Sequence, residues 1–225
     1  MNTTPAPTSP DLPPSDLRAR LDGAFAALPL VAILRGLTPR EAEPAAQALY
    51  DRGFRLIEVP LNSPEPFDSI GAIRRLLPPD AIVGAGTVMT ADQVKTLAGL
   101  GADIVVMPHG DTDLIRAAKS AGLACLPGVT TPTEAFAALK AGADALKLFP
   151  AELISPRIVK AMRAVMPPDV RLLPVGGIAP ETMRDYRDAG VAGFGLGSAL
   201  YTPGMAVPDI ARRAERFVAA WREIA

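Results

Sequence analysis

One lysine interrupts an otherwise apolar run, Ala145-Leu146-Lys147-Leu148-Phe149-Pro150. An ammonium is costly to bury unless it is paired or gives up its proton. Desolvation lowers a lysine's pKa, and a lysine with a lowered pKa is a nucleophile toward carbonyl carbons. A second charge, Glu58, stands in a similar setting between Ile57 and Val59. An amine condensed with a keto group draws electrons from the neighbouring carbon. A carboxylate in reach can then move protons, on the carbinolamine or on the hydroxyl whose loss breaks a C–C bond. That is Schiff-base aldol chemistry, which asks for no metal and no cofactor. Both residues also have structural readings: the pair could be a buried ion pair, and Glu58 a solvated strand end.

Other polar positions suggest anion handling. Arg35 closes an apolar run and offers a bidentate fork for a substrate carboxylate, or a partner for a helix carboxylate. Thr87 ends another run, where it either touches ligand or caps the next helix. Gly176-Gly177 and Gly197-Ser198 would let backbone amides approach a phosphate; alternatively they only permit tight turns. The sole histidine, His109, and the sole cysteine, Cys125, read more simply as a loop residue and a small strand residue. No His, Asp and Glu cluster has metal-ligand spacing.

These residues need a scaffold that gathers distant segments at one face. From Val31 onward, short apolar runs alternate with helical patterns at a period of roughly 20–25 residues, the rhythm of βα units on a parallel sheet. Eight strands are predicted: 31–36, 56–62, 81–88, 103–108, 124–129, 145–150, 171–177 and 193–198. Helices follow at about 38–52, 64–77, 90–101, 111–121, 132–141, 155–165, 180–189 and 208–224, many opened by Thr or Ser before Pro. The expected fold is α/β, a (β/α)8 TIM barrel, whose site lies at the C-terminal ends of the strands. A doubly wound open sheet fits less well, because no strand leads into G-x-G-x-x-G. Residues 1–14, rich in Pro, Thr and Ser, read as a flexible tail, and 15–225 as a single domain. An extra N-terminal helix, with Ser15 or Asp16 as cap, carries Leu17, Leu21, Phe25 and Leu28 at helical spacing and would plug or flank one end.

With 225 residues the chain is long enough for a large core, and its net charge of −1 argues against nucleic-acid or polybasic membrane partners. No apolar run approaches the ~20 residues of a membrane helix, and the N-terminus lacks a secretory pattern. One cysteine suits a reducing compartment, so a cytoplasmic protein is expected.

The runs Val31-Ala32-Ile33-Leu34-Arg35-Gly36, Glu58-Val59-Pro60-Leu61-Asn62-Ser63, Gly84-Ala85-Gly86-Thr87-Val88, Leu126-Pro127-Gly128-Val129, Leu146-Lys147-Leu148-Phe149-Pro150, Pro174-Val175-Gly176-Gly177 and Gly195-Leu196-Gly197-Ser198, in this order, resemble the 2-keto-3-deoxy-6-phosphogluconate/6-phosphogalactonate aldolase family. The resemblance covers about Leu28 to the C-terminus. It implies a homotrimeric class I aldolase that splits a keto-deoxy-phospho sugar acid into pyruvate and D-glyceraldehyde 3-phosphate. It puts the imine lysine at Lys147 and the acid/base at Glu58. It puts the carboxylate contacts at Arg35 and Thr87, ring packing on the imine at Phe149, and the phosphate segment at Gly176-Gly177 and Gly197-Ser198. Val175, where the gluconate branch has threonine, and Leu61-Asn62-Ser63 resemble the galactonate branch, whose substrate is epimeric at C4. A non-aldolase phospho-sugar isomerase using Glu58 as base, or a binding barrel with Lys147 as carboxylate anchor, are the alternatives.

Overall fold

The computed structural model describes residues 14–225. The expected tail at residues 1–14 therefore falls, but for Pro14, outside the described residues. In chain order the elements are α1 (Pro14–Ala27), β1 (Leu30–Ile33), α2 (Pro39–Asp51), β2 (Leu56–Pro60), α3 (Pro66–Leu76), β3 (Ile82–Gly86), α4 (Ala91–Gly99), β4 (Ile104–Val106), α5 (Thr112–Ser120), β5 (Ala124–Leu126), β6 (Gly128–Val129), α6 (Pro132–Ala141), β7 (Leu146–Leu148), α7 (Pro156–Arg163), β8 (Leu172–Pro174), α8 (Met183–Asp188), β9 (Phe194–Leu196) and α9 (Val207–Ile224). Short 3-10 turns cover Ala151–Leu153 and Pro180–Thr182.

All paired strands are parallel, in the orders β5-β4-β3-β2-β1-β9 and β6-β7-β8. A bridge between Val175 and Gly195 joins β8 to β9, and the chain itself joins β5 to β6 through Pro127. The result is the expected closed (β/α)8 barrel, with one correction. The fifth strand is two segments, because Pro127 has no N–H to give to a ladder. Before it, Ala124–Leu126 pair with β4; after it, Gly128 and Val129 pair with β7. The Pro127 carbonyl still accepts from the Lys147 amide at 3.0 Å, so the barrel wall stays hydrogen-bonded across the break.

Helix starts follow the sequence signals. Thr90, Thr131 and Ser155 accept from the amides of Gln93, Glu134 and Ile158, and Asp111 accepts from those of Asp113 and Leu114. Helix α1 begins at Pro14, so Ser15 and Asp16 lie inside it instead of capping it. The region predicted as one helix over 180–189 opens as a 3-10 turn before α8.

Two apolar layers result. Leu30, Ala32, Ile57, Val59, Val105, Leu146, Leu148 and Phe194 point outward against the helices. Val31, Leu56, Ile82, Ile104, Val106, Ala124, Ala145 and Leu173 fill the barrel interior, where they pack on Leu21, Ala24 and Phe25 of α1. The extra helix thus plugs the end away from the strands' C-termini. Asp103, just before β4, fixes that end. Its nearly buried carboxylate accepts from Arg20 of α1 (2.8 Å), Arg74 of α3 (2.6 Å) and the Val83 amide (3.0 Å). Removing the shared partner would strand two largely buried guanidinium groups. Asp103→Ala is therefore expected to cost about 3 kcal/mol in urea unfolding. A loss below about 1 kcal/mol would mean the cluster behaves as ordinary exposed ion pairs.

Candidate active site

Side chains alternate across a strand, so a residue's neighbours reveal its direction. On β2, Leu56 lies in the inner layer and Ile57 and Val59 in the outer one, so Glu58 points inward. On β7, Leu146 and Leu148 are outer and Ala145 is inner, so Lys147 points inward too. Glu58 is 1% and Lys147 6% exposed. Both line one small cavity of about 10 Å3 with Ile33, Val106, Leu173 and Val175 in the upper interior. The chain thereby brings together an acid and an amine 89 positions apart, the difference between 147 and 58.

They do not form the buried ion pair of the structural reading: no contact within 4.0 Å joins their charged atoms, and Glu58 Oε2 has no hydrogen-bond partner. The electrostatics follow. Burial pushes the Glu58 carboxyl up to about 7, and the charges of Lys147 and Arg35 only partly offset it. Burial likewise lowers the Lys147 ammonium, aided by Arg35 and opposed by Glu58. Lys147 Nζ lies 4.5 Å from the Phe149 ring centroid, a cation–π contact that accepts the ammonium without fixing it in a hydrogen bond. Room for the Glu58 carboxylate comes from the next strand. A Cβ on Gly86 would fall within that carboxylate, which explains a glycine at an inward position of β3.

Around this pair, Arg35 follows β1 and is exposed, its Nη1 donating to Asn62 Oδ1 at 2.6 Å. The Gly36 amide donates to Ser63 Oγ at 2.9 Å. Asn62-Ser63 thus clamps the loop that carries Arg35, a role sequence reasoning missed because the contact spans 27 positions. Thr87 sits half-buried after β3 at φ 57, rare for a β-branched residue. It does not cap a helix, since Thr90 does.

The loops after β8 and β9 lie side by side. Gly176 and Gly177 have φ of 114 and 62, which only glycine adopts freely. The amides of Gly177, Gly197, Ser198 and Ala199 meet no acceptor among the described residues, while that of Gly176 faces the Gly195 carbonyl across the bridge. Four undirected N–H groups on adjacent loops are the kind of donor set that an anion would need. Sequence reasoning also missed Glu152, whose carboxylate rests against Gly176 and Gly177. Neither remaining candidate lines the cavity. His109 is exposed on the loop before α5. Cys125 faces the outer layer beside Met107, its thiol pushed up to about 12 by burial, which makes it inert. Among the described residues no three His, Cys, Asp or Glu side chains gather as metal ligands.

Residues 21–213 match the family described as "Aldolase: KDPG and KHG aldolase". The chain belongs to that aldolase family. Within it, the chain is 47% identical over 196 residues to the 2-dehydro-3-deoxy-6-phosphogalactonate aldolase of Escherichia coli (strain K12), covering 87% of this chain and 96% of the relative. It is 35% identical over 164 residues to the 2-dehydro-3-deoxy-phosphogluconate aldolase of Pseudoalteromonas atlantica (strain T6c / ATCC BAA-1087), covering 72% and 75%. The solved structure titled "Native KDPGal structure" superposes with a TM-score of 0.86 at 47% identity, covering 88% of this chain and 96% of that one.

The raised Glu58 carboxyl carries a stability signature. Its folded pKa of about 7 exceeds the model-compound 4.5, so between those values the folded chain holds more proton than the unfolded one. Stability contributed by this group therefore falls as pH rises through that window. Glu58→Gln removes this pH dependence. Its stability relative to the parent is expected to improve from pH 4.5 to 7 and level off above, read by urea midpoints across pH. A pH-independent difference would refute the elevated carboxyl.

Proposed function

We propose that the chain is a class I aldolase cleaving 2-dehydro-3-deoxy-6-phospho-D-galactonate to pyruvate and D-glyceraldehyde 3-phosphate. The observation that carries this reading is the unpaired amine and acid sharing one small interior cavity. Neutral Lys147 Nζ attacks the C2 keto carbon, and loss of water leaves the imine. Glu58 accepts the C4 hydroxyl proton, the C3–C4 bond breaks, and its electrons move into the C3–C2 enamine as the aldehyde leaves. Protonation of C3 and hydrolysis of the imine release pyruvate and restore the amine. A carboxyl poised near neutral pH suits both directions of that transfer. Phe149 packs against the imine, and Arg35 and Thr87 hold the pyruvoyl carboxylate. Gly177, Gly197 and Ser198 hold the phosphate through their free amides, and Gly176 lets the backbone approach it.

Val175 lines the cavity and cannot donate a hydrogen bond to a C4 hydroxyl. That favours the galactonate epimer, as does the higher identity to the galactonate relative. A homotrimer suits the exposed apolar side chains Leu153, Ile158 and Val165 on the segment around α7. A cytoplasmic setting suits the single cysteine. Among the described residues, no helix is long and apolar enough to cross a membrane.

Borohydride reduction in the presence of pyruvate is expected to add the pyruvyl mass at Lys147 and at no other lysine. Lys147→Arg, which keeps the charge, should trap nothing and lose cleavage by about 10^3-fold or more. An isomerase or a binding barrel would instead show no adduct in the parent and tolerate arginine. Comparative cleavage of the two C4 epimers, coupled to pyruvate detection, should favour the galactonate acid. Val175→Thr should move the ratio of kcat/KM toward the gluconate acid by about 10-fold. An unmoved ratio would remove Val175 from the discrimination.

A further inference from the structure

Helix α9 runs behind the loops that follow β8 and β9, and three arginines lie on one turn of it: Arg212, Arg213 and Arg216. Arg212 pairs with Asp209 on its own helix, and Arg216 with Glu181, both exposed. Arg213 differs. It is half-buried, meets no carboxylate within 4.0 Å among the described residues, and its Nη1 donates to the Ser198 carbonyl at 3.1 Å. With Ala179, Pro180, Ala199 and Phe217 it lines a cavity of about 140 Å3 directly behind the cradle.

The bond falls on a peptide unit that matters. A peptide group is planar and trans, so the Ser198 carbonyl and the Ala199 N–H point in opposite directions. Leu200 and Tyr201 donate to the Gly197 carbonyl, so the turn over 197–201 is helix-like. Its carbonyls run forward toward Arg213, and the Ser198 and Ala199 amides point back toward the strand end. Holding the carbonyl fixes where the amide aims. A charged donor on the oxygen also polarises the peptide and strengthens the opposite N–H as a donor.

We propose that Arg213 is a positioning residue for the substrate's phosphoryl group, acting through the Ser198–Ala199 peptide. The inference rests on the anion-cradle reading of the two glycine loops. Its test compares kcat/KM for the phosphorylated keto-deoxy acid and for the same acid without phosphate, and takes their ratio. A purely structural role would lower both alike and leave the ratio still.

Arg213→Gln is expected to cut the ratio about 10-fold, chiefly through KM of the phosphorylated acid. Arg213→Lys, which restores a charged donor, should recover most of it, and also serves if the glutamine variant does not fold. Gly177→Ala, strained at φ 62, tests the cradle itself and should collapse the ratio. If Gly177→Ala lowers the ratio and neither Arg213 variant does, the cradle stands and Arg213 has no part in it. If no variant moves the ratio, the cradle reading fails together with the proposal.

Discussion

The structure depends on keeping two opposite charges inside an apolar barrel without letting them neutralise each other. Paired, Glu58 and Lys147 would be an inert buried salt bridge, with the amine protonated and the acid satisfied. Held apart, each bears the cost of its own desolvation, and each shifts toward its neutral form. The fold meets that cost elsewhere, in two apolar layers and in the ion cluster that ties α1 and α3 to Asp103 at the far end. Reactive groups and stabilising groups are thus segregated to opposite ends of the same strands, the division expected of this architecture.

Separation is achieved by subtraction as well as placement. Gly86 gives up its side chain so that the Glu58 carboxylate can occupy the volume, and Gly195 does the same beside Val175. The loop carrying Arg35 is steadied by Asn62 and Ser63 from the next strand's end, not by residues of its own segment. Glu58 and Arg35 are each set by a neighbour on an adjacent strand.

This explains what could be read from the chain alone. The barrel was legible because the βα units repeat local signals: an apolar run, often a Thr, Ser or Asp cap, a helical period. Lys147 and Glu58 were legible because a charge inside an apolar run contradicts its surroundings. The break at Pro127 was not, because its apolar neighbours continue on both sides and the missing N–H matters only through the strand it faces. Asn62 and Glu152 were not, because they act across strand ends on backbone and guanidinium groups that no spacing rule connects. The plugging helix was anticipated, but its start was not, since Pro14 opens a helix as readily as Ser15 would cap one.

The barrel's closure has a last consequence. Between β1 and β2 or β2 and β3 several successive residues pair, whereas β8 and β9 meet through the single bridge from Val175 to Gly195, reinforced by the Ala192 amide on the Leu172 carbonyl. The two glycine loops rise from either side of that seam. An anion gripped by amides of both loops would span it like a clasp, so the ligand's phosphate would complete the hoop that the strands leave thinnest. Occupancy and barrel integrity would then be linked: a filled site resists opening at the seam, and an empty one gives way there first.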